Sequence, residues 1–154
     1  MSKTLLTVDD SKASQRTLEK FVTLFKPCLA DNIILLYVQK IEGQSVMDEL
    51  LLSDSEMATL KESLQGTEHQ EELDRKANKV LDYYRKSLAE HGLSPHKTIV
   101  KMGHPAEEIM NSAKEEGVSL IVMGSRSRRL HNLFMGSVSR EVANNADVSI
   151  LLIK

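Results

Sequence analysis

One stretch of the chain gathers the residue types that hold an anion. It reads Gly124-Ser125-Arg126-Ser127-Arg128-Arg129-Leu130-His131-Asn132-Leu133-Phe134-Met135-Gly136-Ser137-Val138-Ser139. It begins where an apolar run ends and finishes where an amphipathic run starts. Glycine at both ends lets the backbone approach a ligand and adopt φ > 0. Free amides at a helix start, joined by the hydroxyls of Ser137 and Ser139, make an anion site. Arg126, Arg128, Arg129 and His131 add charged donors. The competing reading is a solvated basic loop with ordinary turn glycines.

A second group follows the first apolar run, as Val8-Asp9-Asp10-Ser11. An acidic pair there suits Mg²⁺ in response-regulator receivers. A receiver also needs an acceptor aspartate after its third strand, where this chain has Val100-Lys101-Met102-Gly103. Asp9 has a competing role as a helix cap, and Asp10 is expected to face solvent or cap the same helix. No G-x-x-x-x-G-K-[ST] and no G-x-G-x-x-G occurs, which excludes P-loop and dinucleotide fingerprints. His69, His91, His96, His104 and His131 lack metal-ligand spacing, and the single Cys28 cannot build a zinc site. His104, beside Pro105, reads as a helix cap or turn residue rather than a catalyst. Tyr83 and Tyr84 read as packing. No nucleophile–base set can be assembled, so no catalytic residue is assigned.

These groups need a scaffold, and the apolar pattern supplies one. Leu5–Val8, Ile33–Val38, Thr98–Val100, Val118–Met123 and Val148–Ile153 are short, nearly continuous apolar runs. Such runs suit strands buried on both faces of a parallel sheet. Between them lie stripes at helical spacing: Leu18, Phe21, Val22, Phe25; Leu73, Ala77, Val80, Leu81, Tyr84, Leu88; Ala106, Ile109, Met110, Ala113; and Ser137, Val138, Val142, Ala146. Ser11 is placed to cap the first. Pro105, Glu107 and Glu108 suit the start of the third, and Gly117 its exit. The alternation predicts an α/β fold: an open parallel five-stranded sheet, order 3-2-1-4-5, with helices on both faces, Rossmann-like. Ligands of such sheets lie at the carboxyl ends of the strands, where strand order reverses. Residues 39–66 read as an insertion after strand two, with Ser53-x-x-Glu56 as a capping box and Met57, Leu60 and Leu64 as a short apolar stripe.

The bulk numbers set limits. At 154 residues, 41% hydrophobic and 27% charged, the chain suits one globular domain spanning 1–154. A formal net charge of −2, 4% aromatics and no Trp argue against nucleic acid as partner. One cysteine gives no internal disulfide, and no apolar run reaches membrane-spanning length. A cytoplasmic protein without a membrane partner is expected.

Five fragments in order resemble universal stress proteins: Val8-Asp9-x-Ser11, Leu36-Tyr37-Val38, Gly103-x-Pro105-Ala106-Glu107-Glu108-Ile109, Leu120–Arg126, and Gly136-Ser137-Val138-Ser139. The resemblance runs from about residue 3 to residue 154, with 39–72 as the variable part. Nucleotide-binding members of that family share Gly-x-x-Gly, nine residues, then Gly-Ser or Gly-Thr. Here Ser127 stands at the second glycine, and eight residues, Arg128 to Met135, separate it from Gly136. The resemblance implies ATP with Mg²⁺ as the ligand. Asp9 would face its adenosine end, and the main chain of Val38 would read the adenine edge. Met123, Gly124, Ser125, Arg126 and Ser127 would line ribose and phosphates; Gly136, Ser137 and Val138 would hold the phosphate tail. The last strand, Val148–Ile153, has no proline, bulge glycine or inward charge to blunt an exposed edge, so a homodimer through it is expected, and the resemblance points the same way; the alternative is that the insertion at 41–66 covers that edge. An unknown protein partner is also expected. Two functions stay open: a stress-response signalling protein with ATP or ADP as regulatory ligand, or a nucleotide-free dimeric interaction module.

Overall fold

The computed structural model describes residues 2–26, 32–40, 68–125 and 135–154, with Ser53, Ser55, Glu56, Ala58, Thr59 and Glu62 between them. The apolar runs form five strands: β1 (Thr4–Val8), β2 (Ile33–Gln39), β3 (Lys97–Met102), β4 (Leu120–Gly124) and β5 (Ser149–Ile153). The striped segments form α1 (Lys12–Phe25), α2 (Glu68–Glu90), α3 (Pro105–Glu116) and α4 (Ser137–Asn145). All strand pairings are parallel and the order is β3-β2-β1-β4-β5, as the alternation predicts.

A parallel sheet has two faces to cover, and strand alternation divides the apolar side chains between them. Leu6, Val8, Leu35, Tyr37 and Val122 pack against Leu18, Phe21 and Val22 of α1 and Leu81, Tyr84 and Leu88 of α2. Leu5, Ile34, Leu36, Ile121 and Met123 pack against Ala106, Ile109 and Ala113 of α3 and Val142 of α4. Thus α1 and α2 cover one face, and α3 and α4 the other.

Local signals set the start of α1 and both ends of α3. The Ser11 hydroxyl accepts the Ser14 amide at 3.1 Å, capping α1. Pro105 opens α3, where a missing amide costs nothing. Gly117 closes it in the left-handed region at φ 62°, which a Cβ would disfavour. The capping box in the insertion is also formed. Ser53 donates its amide to Glu56 Oε2 at 2.8 Å, and Glu56 returns its own to Ser53 Oγ at 3.4 Å. This carboxylate, fixed by Ser53, is held below its ordinary pKa. Met57, Leu60 and Leu64 lie outside the described residues, as do Cys28 and most of the 39–66 insertion.

The two sheet edges differ in chemistry. On β3, Lys97 and Lys101 pair with Glu116 and Glu115 of α3 at 2.5 and 2.8 Å. Those charges blunt that edge against further strands. β5 carries no charge within Ser149–Ile153, and its Ile150, Leu151 and Leu152 are half-buried.

Two substitutions calibrate this account by urea unfolding. Ser11→Ala should lose about 1 kcal/mol, the worth of an N-cap. Leu35→Ala should lose about 2–5 kcal/mol, since a fully buried side chain leaves a cavity. Both should shift the midpoint at unchanged slope.

Candidate functional site

From β1 the chain builds β2 and β3 on one side, then crosses to build β4 and β5 on the other. The strand order therefore reverses between β1 and β4, the place where open α/β sheets bind ligands. The register there is short. β1 matches β4 only from Thr4–Leu120 to Leu6–Val122, whereas β1 and β2 continue in register to Val8–Tyr37. Asp9 and Val38 each stand one residue past that last pair, so they are neighbours at the carboxyl rim.

The β1–α1 turn is tightly specified. Asp9 Oδ1 accepts the Ser11 amide at 2.7 Å, and Ser14 Oγ accepts the Asp9 amide at 3.0 Å. The Tyr84 hydroxyl, brought from α2, donates to the Asp9 carbonyl at 2.8 Å. Asp9 is therefore not the cap of α1, which is Ser11; its carboxylate closes the turn before the helix, and the residue stays exposed at the rim. Asp10 is exposed, as expected, and pairs with Lys76 of α2 at 3.3 Å. Val38, at the end of a core strand, is only half-buried. Next to it the buried Gln39 amide donates to Asp74 of α2 at 2.9 Å, and Gln70 donates to the same carboxylate oxygen at 2.9 Å. The first turns of α2 therefore wall one side of the rim. Helical stripes marked the apolar face of α2 but gave no signal for these polar contacts.

On the other side, β4 is tied directly to α4. The Ser125 carbonyl accepts the Gly136 amide at 2.9 Å, and the Ser139 hydroxyl lies 3.2 Å from the same oxygen. Residues eleven or more apart are joined there without reference to the loop between them. Met123 is core, packed on the α3–α4 face. Ser125 is buried, its amide spent on the Ile153 carbonyl at 2.9 Å. Ser137 is exposed and Val138 half-buried at the start of α4. Arg126, Ser127, Arg128, Arg129 and His131 lie outside the described residues.

Three sequence expectations change. Ser139 does not offer its hydroxyl to a ligand: it is buried and points at the Ser125 and Gly136 carbonyls. Gly136 has φ −60° and so needs no left-handed backbone. Gly124 is also absent from the positive-φ glycines. It is required for another reason, because a Cβ there would meet Thr17 Oγ1 of α1 at 2.9 Å.

α4 starts differently from the other helices. α1 has the Ser11 cap, and α2 and α3 carry acidic residues in their first turns, Glu68 and Glu71 in one and Glu107 and Glu108 in the other. At α4 the N-cap is Gly136, no side chain caps it, and its first turn has no acid. The amides of Ser137 and Val138 have no partner among the described residues, at the positive end of the helix dipole. His104 Nε2 faces Glu141 of α4 at 3.9 Å, linking the starts of α3 and α4 without any catalytic arrangement.

Two substitutions test the rim. Gly124→Ala should cost about 1–3 kcal/mol through overpacking, partly recovered by adding Thr17→Ala. Burial raises the pKa of the Tyr84 phenol; its hydrogen bond with Ser14 opposes the rise and the Asp9 charge adds to it. The folded protein then keeps this proton beyond about pH 10, where the unfolded chain releases it. Its contribution to stability is intact below that pH and lost above it. Thermal unfolding of Tyr84→Phe should therefore fall less steeply above pH 10 than that of the parent; parallel curves would refute the assignment.

Comparison with known proteins agrees with this geometry. The model of the universal stress protein family matches residues 1–154. Universal stress protein YxiE of Bacillus subtilis is 31% identical over 159 residues, covering 99% of both chains. Universal stress protein MJ0577 of Methanocaldococcus jannaschii is 30% identical, covering 99% of this chain and 94% of that one. The solved structure of MJ0577 superposes with a TM-score of 0.72 at 29% identity, over 100% of this chain and 96% of that one. A universal stress protein family member from Arabidopsis thaliana, solved with AMP bound, has a TM-score of 0.64 at 19% identity, over 100% and 92% of the two chains. None of the described helices is long and apolar enough to cross a membrane. By sequence along its whole length and by fold, the chain belongs to the universal stress protein family.

Proposed function

We propose that this stress-response protein is a cytoplasmic signalling module that binds ATP or ADP with Mg²⁺ as a regulatory ligand, not as the substrate of a dedicated enzyme. The observation that carries the reading is the uncapped, acid-free start of α4 beside the end of β4. Two amides with no partner among the described residues, at the positive end of a helix, suit phosphate oxygens. In this reading Gly136, Ser137 and Val138 hold the phosphate tail, Gly124 and Ser125 border it, and Arg126 and Ser127 complete the phosphate side. Asp9 and Val38, adjacent at the rim, take the adenosine end. Met123 contributes main chain only, because its side chain is core. The AMP held by the Arabidopsis relative supports the ligand class through the shared fold, and lends no residue roles at 19% identity. Mg²⁺ would arrive with the nucleotide and screen its phosphates. A single domain over 1–154 is part of the proposal.

We further propose a homodimer through β5. An uncharged edge strand with half-buried Ile150, Leu151 and Leu152 invites another strand. A second copy can pair with it antiparallel about a two-fold axis and close the contact. The same edge also suits the nucleotide-free reading, in which the dimer and an unknown protein partner carry the function. Ser127 and the eight-residue spacing to Gly136 favour that alternative.

Titration calorimetry should find ATP or ADP with Mg²⁺ binding in the micromolar range, about 8 kcal/mol. Gly136→Asp should abolish it, by setting a carboxylate at the phosphate position. Replacing Arg126 and Arg128 with Ala should weaken ATP more than adenosine; equal weakening would show that they only shape the loop. An absence of heat and of thermal shift at millimolar ATP would select the nucleotide-free module. Ile150→Lys with Leu152→Lys should convert a sedimenting dimer to a species of 17.3 kDa.

A further inference from the structure

A concave groove of about 340 Å³ lies on the α1 side of the sheet, at the carboxyl end of β5. Arg16, Thr17, Lys20, Gly124, Ile153 and Lys154 are among its lining residues. Three of these are cationic. Lys20 Nζ donates to the Lys154 main-chain oxygen and so ties α1 to the end of β5. Arg16 is exposed and makes no hydrogen bond or ion pair among the described residues. At the opposite end of the same strand stands Asp147, also exposed and also without such a partner. β5 thus runs from an unmatched acid at its amino end to a cationic groove at its carboxyl end. The other edge strand has no such imbalance, because Lys97 and Lys101 of β3 are already paired with Glu116 and Glu115.

We infer that this groove receives Asp147 of a second copy of the chain. The inference rests on the β5 dimer proposed above and adds a charge contact at each end of the paired strands. When an edge strand pairs with itself about a two-fold axis normal to the sheet, the amino end of each copy lies beside the carboxyl end of the other. If the axis passes Ile150, the partner's Asp147 stands opposite Ile153. If it passes Leu151, the partner's Asp147 stands just beyond Lys154. Directly opposite and diagonal neighbours in such a ladder are about 5 and 7–8 Å apart. Both registers bring the acid within reach of the long Arg16 and Lys20 side chains. The two-fold axis repeats the contact, so each dimer has two such sites. Apolar pairing along Ile150 and Leu152 supplies association, while the paired charges oppose slippage beyond these two registers.

Sedimentation of charge-reversed full-length chains tests this. Asp147→Lys should raise the dimer dissociation constant at least about tenfold, as should Arg16→Glu with Lys20→Glu, because like charges then meet at both grooves. An equimolar mixture of the two variants should restore association to within about threefold of the parent at low salt. In that mixture the introduced lysine meets the introduced glutamates at one groove, and the native charges meet at the other. Added salt should weaken the parent dimer and the mixture alike. Should Arg16→Glu with Lys20→Glu prove unstable, Arg16→Glu alone serves, with a smaller loss and the same rescue. A parent that is monomeric throughout would overturn both the dimer and this inference. A dimeric parent indifferent to Asp147→Lys would overturn the inference and leave the dimer standing. Weakened variants that fail to rescue one another would also overturn it.

Discussion

A parallel sheet cannot leave either face in water, and most of this structure follows from that constraint. The strands alternate apolar side chains up and down, so each face needs helices of its own. α1 and α2 meet one face; α3 and α4 meet the other. Right-handed crossovers then leave little freedom in strand order. Because the chain builds first to one side of β1 and then to the other, the reversal point opens between β1 and β4. The crevice is therefore a consequence of burial and connectivity rather than of any residue selected to make it.

What lines the crevice is set by different physics. Backbone groups at strand ends and helix starts must be satisfied, and at this rim most are satisfied by one another. Tyr84 reaches from α2 to the Asp9 carbonyl, and the Gly136 amide meets the Ser125 carbonyl. The first contact joins residues 75 apart and rigidifies the β1 end. The second brings the start of α4 against the end of β4. Against that background the amides of Ser137 and Val138 stand out, because neither has a partner among the described residues. An anion-binding reading gains force because neighbouring groups of the same kind are already spent.

Within one family fold, the glycines carry separable duties. Gly117 turns the chain out of α3 through a left-handed conformation. Gly124 lets α1 approach β4, where Thr17 leaves no space for a Cβ. Gly136 begins α4 at an ordinary φ of −60° and leaves its start without a side-chain cap. A glycine pattern that resembles a nucleotide motif is thus partly a packing requirement, which would persist in a member that binds no nucleotide.

The sequence by itself determined the architecture, because burial patterns are local. The continuous apolar runs Ile33–Val38 and Val118–Met123 marked two-sided strands, and the 3.6-residue stripes of α1, α2 and α3 marked their covering faces. Ser11, Pro105 and Gly117 set helix ends through interactions spanning four residues or fewer. Asp9, Val38 and Gly136 were also legible at strand or helix ends through their order along the chain. Only the tertiary structure decided which of those groups were already engaged. Asp10 paired with Lys76, Gln39 with Asp74, and Ser139 with the Ser125 carbonyl, and each pairing joins segments that no periodicity relates. The same holds for Gly124 against Thr17 and for the opposed charges at the two ends of β5. A polar side chain can reach any partner that folding brings within about 3 Å, so its commitment is a property of the packed chain and not of its sequence neighbourhood.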